Sequence, residues 1–202
     1  MSEPSEGDLP PWRVESSRRV IDDPWLRVRA DDCVTEEGVR IAPFFVTEHP
    51  DWAIVIAVDE DDRLLLVDQY RHGWGITSRE LPTGAVDPDD ADPIAAGQRE
   101  LLEETGYGGG EWTLVATLAP NPANQSNRCY ALLARGVRQL AKPKDEPTER
   151  LRLIALPVKE AMAIARTGGI VQAMHVAALA MAMPDEWSAS GASATTLSDR
   201  GK

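Results

Sequence analysis

The hydrophobic pattern of the chain changes period several times, and each change marks an element. Residues 52–58, Trp-Ala-Ile-Val-Ile-Ala-Val, form an unbroken apolar run, as a strand buried on both faces requires. The acidic stretch at 59–62 reads as a turn, and Leu64 to Val67 as the return strand. Upstream, 26–34 alternates in part and 40–48 carries Ile41, Phe44, Phe45 and Val46, so both are strands. Further strands are predicted at 111–118, 128–134 and 151–156. A helix is predicted over 93–105, with Asp92 as N-cap, Pro93 at the first helical position and Gly106 as the stop. Its Ile94, Leu101, Leu102 and Thr105 are placed to face a sheet. Helices at 158–167 and 171–182 follow, the second bearing Val171, Met174, His175, Ala178 and Leu179. Strands and helices intermixed on one core define an α/β fold, a mixed β-sheet sandwiched between helices. No internal repeat is visible.

Composition bounds this picture. A chain of 202 residues is long enough for one domain with a real core. A net charge of −12 argues against nucleic acid or an anionic membrane surface as partner. Phosphate esters are an odd substrate for such a chain unless metal ions neutralise the site locally. Cys33 and Cys129 lie far apart without metal-ligand spacing, as expected of reduced, inert thiols. No apolar run reaches the length of a membrane span, and the first residues are acidic and polar, unlike a signal peptide. A soluble, cytoplasmic protein is expected, with flexible tails at 1–11 and 185–202 around a domain at 12–184.

The chemistry lies between 84 and 107. Glu100, Glu103 and Glu104 stand at i, i+3 and i+4, on one helix face. Like charges so spaced repel by roughly a few tenths of a kcal/mol per pair, and the usual use of such a face is a hard cation. Mg²⁺ or Mn²⁺ takes carboxylate and carbonyl oxygens and bridges to substrate phosphates. Taken alone, the three glutamates read first as those of a common solvated helix.

The surrounding residues decide the matter. Glu80-Leu-Pro-Thr-Gly84 followed by Arg99-Glu-Leu-Leu-Glu-Glu-Thr-Gly106-Tyr resembles the Nudix box, the loop-helix signature of enzymes that hydrolyse a nucleoside diphosphate linked to a further group X. The resemblance implies the Nudix fold (α/β/α). It makes Glu100, Glu103 and Glu104 metal-binding glutamates, with Glu103 and Glu104 central to catalysis. The Thr83 carbonyl would be a further ligand, and Gly84, Arg99 and Gly106 structural members of the motif. One departure stands out. Counted back from Arg99, the family's loop glutamate is replaced by Ala91, and the loop from Gly84 holds one extra residue. Asp90 is the candidate substitute.

Over about residues 22–183 the chain is similar to the ADP-ribose pyrophosphatase and nucleoside diphosphate sugar hydrolase branch. The similarity is carried by Val46-Thr-Glu-His-Pro50, by Leu65-Leu-Val-Asp-Gln-Tyr-Arg-His72, and by Leu156-Pro-Val-Lys-Glu-Ala161. It implies that Arg71 contacts substrate phosphates, which a guanidinium fork does well. It also implies an acidic-loop glutamate that positions or deprotonates the attacking water. Glu149 is the match, with Glu146 as the alternative. Trp25 and Phe44 fall where the branch stacks a base across a dimer. The 120–128 loop departs from the ADP-ribose pattern; its Asn127 and Arg128 are candidates for sugar or diphosphate contacts, or members of a self-satisfied turn. The branch further implies a homodimer with exchanged N-terminal strands within 12–48. The resulting expectation is a Mg²⁺- or Mn²⁺-dependent pyrophosphohydrolase of a nucleotide-sugar substrate. A hydrolase of dinucleotides or nucleoside triphosphates, and a non-catalytic nucleotide-sugar sensor, are the alternatives.

Overall fold

The structure is a computed structural model that describes residues 9–24, 26–144 and 150–188. Two compact units make up the described residues.

The first unit comprises the described residues up to His49 together with Ala119–Asn127. Its strands β1 (Arg13–Asp22), β2 (Arg27–Val34) and β3 (Arg40–Glu48) form an antiparallel sheet in the order β1-β2-β3. The buried positions are few: Ala30, Asp31 and Cys33 on β2 and Val46 on β3. Buried Asp31 is held by Ser17 Oγ at 2.5 Å and by Arg29 Nε at 2.9 Å. Thr47 N–H donates to Asn124 C=O at 2.8 Å and so ties the 119–127 loop to β3. Every residue of β1 is exposed.

The second unit holds the mixed sheet. Its path runs β11 (Leu151–Pro157), β5 (Arg63–Arg71), β4 (Trp52–Asp59), β10 (Cys129–Gln139), β8 (Tyr107–Gly108). Off this path, β6 (Ile76–Glu80) pairs with β5, β7 (Thr83–Ala85) with β4, and β9 (Glu111–Leu118) with β10. Only β4 and β10 run parallel; the other pairings are antiparallel. The period-2 alternation of strands explains the apolar run at β4. Ile54, Ile56 and Val58 enter one core with α2 (Val158–Arg166) and α3 (Ala173–Ala182), through Met162 and Leu179. Ala53, Val55 and Ala57 pack on the opposite face, where α1 (Pro93–Thr105) contributes Ala96 and Leu101. The expected α/β/α sandwich is the one observed.

Differences from the expected elements have local causes. Leu102 is 39% exposed rather than facing the sheet. With Leu101 and Thr105 pointing inward, the next residue is turned about 100° away, and Ala96 and Gly97 complete the buried stripe instead. Gly97 leaves room there for a Leu132 methyl of β10, which an added Cβ would push aside. Strand β10 runs on to Gln139 through an irregularity at Arg135/Val137. Helix α3 starts at Ala173, since Gln172 caps it by accepting from Met174 N–H at 2.5 Å. A fourth helix, α4 (Pro184–Ser188), occupies the first part of the stretch expected to be a tail. Trp187 packs on the core, and Arg166 donates to Glu186 C=O at 2.6 Å.

Candidate active site

Helix α1 is set by local chemistry. Asp92 accepts from Ala95 N–H at 2.8 Å, and Gly106, at φ +76°, closes the helix by donating to Leu102 C=O at 2.9 Å. Burial of Ala96, Gly97, Leu101 and Thr105 leaves Glu100, Glu103 and Glu104 on the other side, all half-buried. Glu104 Oε2 accepts from Thr83 N–H at 3.1 Å. The Glu100 carboxylate lies against Gly84, where an added Cβ would strike it, and accepts from Arg99 at 2.6 Å. Glu103 is turned outward, with Lys144 Nζ at 3.7 Å. Glu100 and Glu104 are thus brought to β7, and Glu103 stands further out. Among the described residues, no three His, Cys, Asp or Glu side chains are gathered at one point.

Arg99 is the clamp between loop and helix. It donates to Ala85 C=O at 2.9 Å, to Asp90 at 3.2 and 2.9 Å, and to Glu100. Its guanidinium is held further toward the charged form, first by Asp90 and then by Glu100. Asp90 in turn is held below the usual carboxylate range by Arg99 and by the Asp87 N–H at 2.9 Å. Asp90 therefore occupies the place that Ala91 leaves empty. Counted forward from Gly84, Asp90 falls where the family glutamate stands, so the extra residue lies between Asp90 and Arg99.

Arg71 lies at the end of β5 and forks onto Glu80 of β6 at 2.9 and 2.6 Å. Glu80 is buried. Burial pushes its carboxyl up, but the bonds and charge of Arg71 outweigh this and leave it below the usual range. The pair borders a cavity of about 390 Å³ lined also by Trp52, Trp74, Thr83, Gly84 and His175, a size suited to part of a small-molecule ligand. His175 is buried, with Nδ1 accepting from Leu81 N–H and Nε2 3.2 Å from Thr83 Oγ1. Burial is the main reason its imidazole is pushed down to about 4.

Several expected residues fall elsewhere. Trp25, Glu146 and Glu149 lie outside the described residues. Phe44 meets Trp12 edge-on, ring centroids 5.6 Å apart; Trp12 had not been expected as its partner. Asn127 is buried, and its amide has no hydrogen-bond partner among the described residues. Arg128 is exposed, with its guanidinium bonded to Tyr130 and its N–H donating to Asp51 at 2.7 Å. The 120–128 loop does satisfy itself in part, through Asn121 Nδ2 donating to Asn124 Oδ1 at 2.7 Å. Glu80 and His175 are the functional candidates that sequence reasoning passed over. Glu80 was visible as a carboxylate directly before Leu-Pro, whereas His175 offered only a lone histidine in an alanine-rich helix. Both cysteines are buried free thiols, Cys129 pushed up to about 12 by burial.

Fold and site together define an α/β protein whose glutamate-bearing helix packs on a glycine-containing strand. The chain belongs to the Nudix hydrolase family: the NUDIX domain model matches residues 47–173, and the nucleoside diphosphate sugar hydrolase N-terminal domain model matches residues 12–47. It is 32% identical over 149 residues to the ADP-ribose pyrophosphatase of Mycobacterium tuberculosis, covering 72% of this chain and 71% of that one. It is 31% identical over 160 residues to a CMP-5'-(N-acetyl-N-hydroxy-3-aminopropyl)phosphonate hydrolase of Streptomyces rubellomurinus, covering 79% and 76%. A crystal structure of an ADP compounds hydrolase superposes with a TM-score of 0.77 at 22% identity, over 89% of this chain and 96% of the other. That likeness establishes the fold. No described helix is long and apolar enough to cross a membrane.

Proposed function

We propose that this Nudix hydrolase cleaves the diphosphate of ADP-ribose or a related nucleoside diphosphate sugar to a nucleoside monophosphate and a sugar phosphate. The observation that carries the reading is the Arg71 fork, oriented by buried Glu80, on a cavity that also reaches Thr83 and Gly84. A guanidinium carries five N–H donors, more than the two that Glu80 engages, and phosphate oxygens accept from such donors. The match to a nucleoside diphosphate sugar hydrolase N-terminal domain supports the same substrate class.

The donors present fit a hard divalent cation. Glu100, Glu103, Glu104 and the Thr83 carbonyl offer only oxygens, and Gly84 leaves the Glu100 carboxylate room where a side chain would intrude. Bound Mg²⁺ or Mn²⁺ would withdraw charge from the phosphate oxygens. Arg71 binds the diphosphate and holds it across the cavity. A water oxygen attacks one phosphorus, the bridging P–O bond breaks, and the second phosphate leaves with the bridging oxygen. The water's proton passes to a carboxylate, for which Glu149 or Glu146 in the acidic loop is proposed. Phe44, with Trp25 or Trp12, is proposed as the base platform, and Asn127 and Arg128 as sugar or diphosphate contacts. A homodimer is proposed on the exposed Val14, Val20, Ile21 and Phe45 of the three-stranded sheet.

A second reading, hydrolysis of dinucleotides, is favoured by Trp74. Its indole is 65% exposed and borders the same cavity, where it could stack a second base. Purified protein should be offered ADP-ribose, other nucleotide sugars, dinucleotides and triphosphates, each with Mg²⁺ and Mn²⁺. Sugar phosphate and nucleoside monophosphate in equal amounts support the first reading. Preferred turnover of dinucleotides supports the second. Pyrophosphate release from triphosphates alone contradicts both, and binding without turnover supports a sensor.

A further inference from the structure

His175 bonds both ends of the tripeptide Leu81–Pro82–Thr83, and the three groups involved form a closed set. Leu81 N–H donates to Nδ1 at 3.2 Å, so Nδ1 carries no proton and the neutral ring carries its proton on Nε2. That Nε2–H then donates to Thr83 Oγ1 at 3.2 Å. The threonine hydroxyl passes its own proton to Leu81 C=O at 3.0 Å. Each donor has an acceptor, and one imidazole fixes the loop at two points. Pro82 adds rigidity between them, and its carbonyl accepts from Val55 N–H at 2.9 Å. Thr83 then reaches the catalytic helix, because its N–H donates to Glu104 Oε2 at 3.1 Å.

We propose that His175 is a positioning residue of the cation site: it orients Thr83, and through the Thr83 N–H it orients Glu104. The inference rests on the reading that Thr83 and Glu104 hold a divalent cation. A histidine that served only to fill the core would set stability and nothing else. This one lies behind the two groups whose directions the cation site needs, and outer partners of metal ligands tune affinity by about 10- to 100-fold.

The test uses the full chain and Mn²⁺ as probe, with free Mn²⁺ measured by electron paramagnetic resonance. His175→Asn keeps an acceptor for Leu81 N–H and loses the link to Thr83; Thr83→Val removes only the hydroxyl. Each variant should raise the Mn²⁺ dissociation constant about 10-fold. The double variant should bind no more weakly than Thr83→Val alone, since the hydroxyl through which His175 acts is then already gone. The Mg²⁺ concentration for half-maximal turnover should rise in parallel. Wild-type Mn²⁺ affinity in both single variants, with only a lowered melting temperature, would overturn the proposal, as would additive losses in the double variant. If His175→Asn does not fold, Thr83→Val decides alone. Failure of the substrate reading shows separately, as Mn²⁺ binding without turnover of any nucleotide sugar. A wild-type protein that binds no Mn²⁺ overturns both the cation site and the role of His175.

Discussion

At the scale of single residues, the site depends on charges held in place by burial and by forked hydrogen bonds. Glu80 stays ionised in a buried position because Arg71 meets both of its oxygens, and Arg71 is thereby aimed without a ligand present. His175 shows the opposite solution, a buried group kept neutral. Folded, its imidazole titrates at about 4 against 6.5 when free. The unfolded chain therefore takes up the proton first on acidification, and the folded state loses stability as pH falls from 6.5 toward 4. The full effect is on the order of 3 kcal/mol. Denaturant titrations of the metal-free protein across this window should show that slope, and His175→Asn should flatten it. Equal slopes in the two proteins would mean that His175 is not buried neutral. None of this was legible in the sequence, because the contacts of His175 join positions 94 and 92 residues apart.

Elements were legible where their determinants are local. Helix α1 runs between its expected bounds because Asp92, Pro93 and Gly106 act within one turn of their own positions. Strand β4 was visible because both of its faces are buried. Strand β1 was hidden by the reverse condition: Arg-Val-Glu-Ser-Ser-Arg-Arg has no buried face and hence no alternation to read. The short β6 and β7 are defined by pairing with β5 and β4, not by their own residues. The loop from Gly84 to Asp92 belongs to this scale as well. Its conformation is tied to α1 by Arg99 and Asp90, and Asp90 was legible in the sequence as the carboxylate beside Ala91. Asp90→Ala removes the carboxylate that holds Arg99 to the loop. It should raise the Mg²⁺ needed for half-maximal turnover about 10-fold, and Asp90→Glu should restore it. An unchanged Mg²⁺ requirement in Asp90→Ala would remove Asp90 from the motif.

For the molecule as a whole, the two units carry different parts of the account. The second, with its sheet buried on both faces, supplies the glutamate-bearing helix α1 and the Arg71 cavity. The first supplies a three-stranded sheet with exposed Val14, Val20, Ile21 and Phe45, and the edge-on pair of Trp12 and Phe44. Apolar side chains scattered on a surface need no explanation; the group of them on this small sheet is where the proposed dimer contact is tested. Light scattering should give the mass of a dimer, and Val20→Glu with Ile21→Lys should give a monomer with reduced turnover. A wild-type monomer of full activity would remove the exchanged-strand proposal and leave the second unit to act alone. The central claim, hydrolysis of a nucleotide-sugar diphosphate on the glutamate face of α1, meets its most direct test in one comparison. Wild-type and Glu104→Gln proteins are given ADP-ribose and Mg²⁺, with products quantified and melting temperatures recorded. AMP and ribose 5-phosphate are expected in equal amounts from the wild type, and turnover lower by about 100-fold or more in the variant at an unchanged melting temperature. Equal turnover by the two proteins, or no AMP from either, would contradict the claim.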